Sequence, residues 1–177
     1  MSVHHHGTRE FVPLAIAVLT VSDTRTPETD SSGDLLASRL ASAGHHLAGR
    51  AIEKDDIYRL RARVSEWIAD PAIQVILTTG GTGFSGRDST PEALSVLFDR
   101  PIEGFGELFR QVSLTQIGPS TLQSRALAGF ANGTLVFCLP GSNNACRTGW
   151  DEIIGNQLDA RTNPCNFVTH LRPRSDE

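Results

Sequence analysis

The sequence has little of what would mark a nucleic-acid binder, a membrane protein or a disulfide scaffold. Its 16 Lys and Arg stand against 20 Asp and Glu, a formal net charge of -4 over 177 residues. A nucleic-acid-binding domain normally carries a basic surplus on one face, so no nucleic-acid partner is expected. An anionic small molecule is not excluded, because a site can be locally positive on an acidic protein. Lysine is nearly missing. Lys54 is the only one, and the other basic side chains are arginines, which contact carboxylate and phosphate in a planar, bidentate way. The cysteines, Cys138, Cys146 and Cys165, show no C-x-x-C spacing. An odd, scattered set suits buried thiols in a reducing compartment. The longest apolar runs, such as PLAIAVLTV, are too short to span a bilayer, and no signal-peptide pattern precedes them. A soluble, cytoplasmic protein with no membrane partner is expected. There is no internal repeat, no low-complexity linker and no His/Cys/Asp pattern of a nucleophile triad.

What is present describes one ordinary globular domain: 39% apolar and 20% charged residues, in a chain of single-domain length. Residues 1–11 are polar and are expected to be a flexible segment, with His4, His5 and His6 belonging to that end rather than to a metal site. The domain is expected over 12–171, and 172–177 as a second flexible end.

Apolar runs alternate with helical patterns. LAIAVLTVSD (14–23) reads as a buried strand. SGDLLASRLASAGH reads as a helix with Leu35, Leu36 and Leu40 on one face and Gly44 as its stop. LAGRAIEKDD is a weaker strand. DIYRLRARVSEWIAD places Ile57, Leu60, Val64, Trp67 and Ile68 at helical spacing, with Asp55 or Asp56 as N-cap. IQVILTT is a third strand, and TPEALSVLF is helical. Pro101 to Gly106 reads as a turn, and ELFRQVSLTQIG and TLQSRALAGF as helices. TLVFCLP is a late strand, SNNACRTGWDEIIGNQL a helix carrying Trp150, Ile153 and Ile154 on one face, and the tail after it irregular. Strands alternating with helices imply an α/β fold with a mostly parallel central sheet. Ligands of such sheets bind at the carboxyl ends of the strands. Three strand exits are therefore candidates: Ser22-Asp23, Gly80 to Gly83, and Pro140 to Asn143.

The second exit, TTGGTGFSGRDSTPEAL, nearly matches two nucleotide motifs. Gly81 and Gly86 fit the frame of a P-loop, but Arg87 and Asp88 stand where Lys and Ser or Thr are required. Gly81, Gly83 and Gly86 fit G-x-G-x-x-G, but the helix opens later, at Thr90-Pro91-Glu92 or from a Ser89/Glu92 capping box. No strand ends on an acid some twenty residues on. The remaining reading is an anion nest, in which consecutive glycines let successive N–H groups point into one concavity. Thr79, Thr82 and Ser85 add hydroxyls. Asp88, beside Arg87, makes sense there if Mg²⁺ bridges it to phosphate or if it orients a group in flight. FCLPGSNNA repeats the pattern of strand, glycine turn and helix start, with Ser142 or Asn143 as cap and the helix N-terminus as a second anion site. Asp23 stands at the same edge, as a ligand contact or in an Asx turn. Asp55 and Asp56 read as helix caps or as a further metal-facing carboxylate.

TTGGTGFSGRDSTPEA, LPGS, VSD at the end of the first strand and PIEGFGELFR between them resemble the MogA/MoaB family of molybdenum cofactor biosynthesis, to which the gephyrin G domain is related. The resemblance runs from about Leu14 to Leu171, and the QLDARTNPCNF segment is similar to the MoaB branch. It implies a three-layer α/β sandwich forming a molybdopterin-binding domain that assembles as a trimer or hexamer. It implies transfer of an adenylyl group from Mg·ATP to molybdopterin with release of pyrophosphate, or, as the alternative, a binding module without ATP chemistry. Carried onto this chain, it makes Asp88 and Asp55 the catalytic aspartates and the Mg²⁺ ligands. Asp23, Thr79, Gly80, Gly81, Thr82, Gly83, Arg87, Pro140, Gly141, Ser142 and Asn143 become the contacts to nucleotide or pterin. Molybdopterin and ATP are the implied small-molecule partners, and other molybdenum cofactor biosynthesis proteins the implied protein partners. Phe84-Ser85-Gly86 departs from the pattern, since MogA members usually carry a proline and a basic residue there.

Overall fold

The computed structural model describes residues 9–173, so the His4–His6 run lies outside the described residues. Packed structure reaches one residue past each expected bound of the domain. The Phe11 ring lies 5.1 Å from that of His45, and Arg172 donates from its backbone to Gly133 O at 3.0 Å and from its guanidinium to Ile68 O at 3.0 Å.

Six strands form one sheet in the order β2-β1-β3-β6-β5-β4. They are β1 (Ala15–Val21), β2 (His46–Glu53), β3 (Val75–Thr79), β4 (Arg100–Pro101), β5 (Leu127–Ala131) and β6 (Thr134–Leu139). β2, β1, β3 and β6 run parallel, while β5 is antiparallel to β6 and β4 to β5. Every residue of β1, β3 and β6 is buried. Strands covered on both faces need apolar residues at consecutive positions, which is why AIAVLTV and VILTT run on without alternation.

The helices cover both faces. α1 (Ser31–Ser42), α4 (Glu103–Ile117) and α5 (Asn143–Gly149) pack Leu36, Leu40, Phe105, Phe109 and Cys146 against Ile16, Val18, Leu77 and Phe137. α5 continues through a π-helical turn (Trp150–Ile154) into α6 (Gly155–Gln157), and Trp150, Ile153 and Ile154 are buried on the same side. On the other face, α2 (Ile57–Ala69) and α3 (Thr90–Leu94) bring Leu60, Val64, Trp67 and Leu94 onto Ala17, Leu19 and Ile76. Each fully buried leucine of these layers contributes roughly 1.5–3 kcal/mol relative to exposure. The three-layer sandwich is therefore as expected.

Two stretches differ from their expected state. TLQSRALAGF is not a helix: a 3₁₀ segment (Gly118–Gln123) is followed by β5, and the chain reverses into β6 through Asn132-Gly133, with φ of 50° and 74°. Gly129 is the residue that lets this strand fit, because a Cβ there would lie 2.4 Å from the Phe98 ring. The expected turn at Pro101 to Gly106 holds the short β4 and the first turn of α4. Burial of Phe105 and a backbone bond from Ile102 N to Ala128 O stabilise structure where local composition favours a turn.

α1 starts at Asp30, which is fully buried. Its carboxylate accepts from Thr20 Oγ1 at 2.8 Å, Gly33 N at 3.0 Å and Arg50 Nη2 at 2.9 Å. A buried charge persists only when paired and hydrogen-bonded, and here those partners tie β1, β2 and α1 together below the strand exits.

Candidate active site

β1, β3 and β6 are adjacent and parallel, so their carboxyl ends open at one edge of the sheet. The glycines there are required by close approach. Gly80 has φ of 107°, and a Cβ on it would sit 2.2 Å from Val21 O. A Cβ on Gly141 would meet Gly80 Cα at 3.2 Å. The exits of β1, β3 and β6 thus meet by close approach of their backbones. Gly80 N donates to Leu139 O at 3.0 Å, and Thr79 Oγ1 donates to Pro140 O at 3.1 Å.

The loop after β3 is held by its carbonyls. Gly80 O accepts from Thr90 Oγ1 at 2.9 Å, and Gly81 O accepts from Thr90 N at 2.9 Å. Thr82 O and Gly83 O accept from the Arg125 guanidinium, at 3.3 and 2.9 Å from Nε. The N–H groups of Gly81, Thr82, Gly83 and Phe84 donate to no acceptor among the described residues. Four consecutive free donors are what the anion-nest reading requires.

A cavity of about 550 Å³ lies over this loop. Of the expected site residues it brings together Thr79, Gly80, Gly81, Thr82, Gly83, Asp88, Pro140, Gly141 and Ser142. α4 and the 3₁₀ segment after it supply the facing wall, including Ser113, Gln116, Gln123 and Ser124. Gln116 Oε1 accepts from Asn144 Nδ2 at 3.0 Å and Thr148 Oγ1 at 2.9 Å, which leaves its amide NH₂ as the uncommitted end. Arg25 and Asp88 are the charged side chains on the lining.

Asp23, Asp55, Arg87 and Asn143 do not line the cavity. Arg87 turns to Asp23, with Nη2 2.7 Å and Nε 3.0 Å from Oδ2, and that hydrogen bond holds the Asp23 carboxyl below its ordinary pKa. The turn after β1 is made by Ser22, whose Oγ accepts from Thr24 N and Arg25 N, so Asp23 does not form the expected Asx turn. Of the two cap candidates, Asp56 caps α2, accepting from Tyr58 N and Arg59 N, and Asp55 does not. Asp55 reaches across to Ser89 instead, with Oδ1 accepting from Ser89 N at 3.0 Å and from Ser89 Oγ. Burial raises the Asp55 pKa, the Ser89 hydrogen bonds oppose that, and the nearby charges of Asp88 and Asp23 add to it. Asp88 Oδ2 accepts from Ser85 N at 2.8 Å.

The start of α3 also departs from expectation. Ser89 occupies the N-cap position without a side-chain cap bond, Thr90 bonds back to Gly80, and Glu92 pairs with Arg125, so neither the Thr90 cap nor the capping box forms. In the second glycine turn, Ser142 is the cap, accepting from Ala145 N at 3.1 Å. Asn143 Oδ1 accepts from Ser31 Oγ at 3.1 Å and joins α5 to α1.

Sequence reasoning missed Arg125, Gln116 and Arg25. Nothing local marks Arg125, because its partners are main-chain oxygens some forty residues away. Among the described residues, no group of three or more His, Cys, Asp or Glu is arranged to hold a metal, and no helix is long and apolar enough to cross a membrane.

Residues 17–160 match the family model described as "Probable molybdopterin binding domain". The chain is 57% identical over 163 residues to Molybdenum cofactor biosynthesis protein B of Escherichia coli (strain K12), covering 92% of this chain and 96% of that one. It is 43% identical over 159 residues to the protein of the same name in Bacillus subtilis (strain 168), covering 89% and 94%. A crystal structure of a Molybdenum cofactor biosynthesis protein B superposes with a TM-score of 0.82 at 42% identity, covering 85% of this chain and 94% of that one. The tungsten cofactor synthesizing protein MoaB from Pyrococcus furiosus superposes with a TM-score of 0.72 at 37% identity, covering 80% and 90%.

Proposed function

The chain belongs to the molybdenum cofactor biosynthesis family of molybdopterin-binding domains, and from that premise we propose that its cavity takes molybdopterin and Mg·ATP and transfers an adenylyl group to the pterin's terminal phosphate. The bond formed joins a pterin phosphate oxygen to the α-phosphorus of ATP, and the bond broken releases pyrophosphate. The observation that carries this reading is the run of four N–H groups, from Gly81 to Phe84, unpartnered among the described residues, of which Gly81, Thr82 and Gly83 line the same cavity as Asp88.

The attacking phosphate is already an anion near neutral pH, so no general base is needed. The difficulty is bringing two polyanions together in line. The N–H groups of the glycine loop offer fixed dipoles to phosphate oxygens, and their carbonyls are already held, so they need not reorganise during the reaction. Arg25 adds a positive charge on the lining. Ser142 at the exit of β6 and the uncommitted NH₂ of Gln116 on the facing wall offer further polar contacts.

Mg²⁺ fits the acidic end of the site. Such an ion is commonly held by one or two carboxylates together with substrate phosphates and water, not by a closed protein cage. Asp88 lines the cavity, and Asp55 carries a carboxyl whose ionisation is disfavoured partly by the charges of Asp88 and Asp23, which a cation would offset. We assign Asp88, on the lining, and Asp55, whose Oδ2 stands behind Gly81 and off the lining, to hold it, and bound there it would neutralise phosphate charge. The chain is further proposed to act as a homotrimer or homohexamer in the cytoplasm, which light scattering tests for the assembly.

One observation favours a binding module without ATP chemistry: Arg87 is committed to Asp23 and not to the cavity. Incubation with molybdopterin and Mg·ATP separates the two readings. Adenylylated pterin and pyrophosphate are expected, whereas pterin binding with no response to millimolar ATP would leave the module.

A further inference from the structure

We infer that Arg125 is the positioning residue that turns the loop after β3 into an anion nest; the inference rests on the reading that this cavity takes phosphate. In a trans peptide the C=O and the following N–H lie in one plane and point in opposite directions. Four consecutive planes, from Gly80/Gly81 to Gly83/Phe84, each have the carbonyl bonded and the N–H free among the described residues. Thr90 holds the first two carbonyls and Arg125 the last two. The same guanidinium donates to Asp88 O at 3.2 Å, so one side chain spans the start and the end of the loop that carries Asp88.

The arrangement uses what a guanidinium offers and an ammonium does not. Five N–H donors in a planar fork reach three carbonyls and the Glu92 carboxylate, while the flat face lies 5.0 Å from the centre of the Phe84 ring. A lysine would keep the charge opposite Glu92 but could not span three separated oxygens from a single nitrogen. Without the fork, the Thr82 and Gly83 carbonyls are free to rotate toward the cavity. They would then present lone pairs where the free N–H groups now offer donors. Arg125 therefore acts on the ligand through the backbone, without touching it.

The test uses the full chain, with Arg125→Lys, Arg125→Gln and, as control, Arg161→Gln, whose guanidinium pairs with Asp159. Mg·pyrophosphate is titrated calorimetrically well below each melting temperature, and KM for ATP is measured where turnover is observed. Losing two charge-assisted bonds to the nest should weaken pyrophosphate binding by about tenfold or more in both Arg125 variants. KM for ATP should rise by a similar factor with kcat nearly unchanged, because the nest holds ground state and transition state alike. Arg125→Lys is expected to melt close to the wild type, which separates binding from folding. Wild-type affinity in a folded Arg125→Lys overturns the inference alone. No pyrophosphate binding by the wild type overturns the phosphate reading and the inference with it.

Discussion

Replacing Gly80 by alanine tests whether the three strand exits are locked together by backbone contact. At φ of 107° an L residue is strained, and the added Cβ would lie 2.2 Å from Val21 O, a main-chain atom inside the sheet pairing that cannot swing aside. Left-handed strain costs about 1–2 kcal/mol, and forcing an extra carbon into a packed site about 1–3 kcal/mol. The sum is about 2–5 kcal/mol. For a chain of this length each kcal/mol moves the melting temperature by about 2–4 °C, which gives a drop of about 4–20 °C. The internal control is six residues on. A Cβ on Gly86 has no heavy atom within 4 Å, and its φ is not positive. Gly86→Ala should therefore be neutral, or stabilise by about 0.4–1 kcal/mol by restricting the unfolded chain. Differential scanning calorimetry on the two variants gives the answer. Equal melting temperatures for Gly80→Ala and Gly86→Ala would refute the claim that backbone contact sets the geometry of the site.

Asp88→Asn keeps the shape and the bond from Ser85 N but removes the charge, so turnover should fall by two orders of magnitude or more with the melting temperature held; near wild-type turnover would sink the assignment. Asp55 has a raised folded pKa, so its contribution to stability is fully present below the unfolded value of 3.8 and is lost as pH rises through the folded pKa. Asp55→Asn should accordingly remove a fall in stability just above pH 4 in urea titrations, and should abolish any Mg²⁺-induced rise in melting temperature at neutral pH. Burial pushes the Cys138 thiol up to about 12 and Cys146 to about 11, while Cys165 is exposed. Ellman's reagent at pH 8 should thus titrate one thiol in the native protein and three in denaturant; a second fast thiol would contradict the packing around Thr79 and Cys146.

The parts of the fold that follow from period and composition were legible in the sequence. Consecutive apolar residues marked β1, β3 and β6, and strand exits ending in glycine and aspartate marked the edge where the cavity lies. β5 was not legible from LAGFA, since leucine and alanine favour helix and the pairing with β6 overrides them. The signal that would have identified it was Asn132-Gly133, a two-residue hairpin turn between two apolar runs. Within the site, residue type put Asp88 beside the strand exit whose cavity it lines, but could not say that Arg87 turns to Asp23 or that Asp55 turns to Ser89, because each choice depends on a partner far away in the chain. Arg125 was illegible for a deeper reason. Its acceptors are carbonyl oxygens, which every residue carries, so no side-chain pattern records them.

That same property bears on how the loop tolerates mutation. Thr90 and Arg125 grip carbonyl oxygens and the loop leaves its amide hydrogens free, so this framework is not written in the side chains of Ser85 and Gly86. Ser85 and Gly86 can drift through polar or small replacements while the amide geometry stays in register. The load on residue identity then rests on Thr90, Arg125 and the glycines, and of Phe84-Ser85-Gly86 it is the Phe84 ring, against the Arg125 guanidinium, that touches the frame.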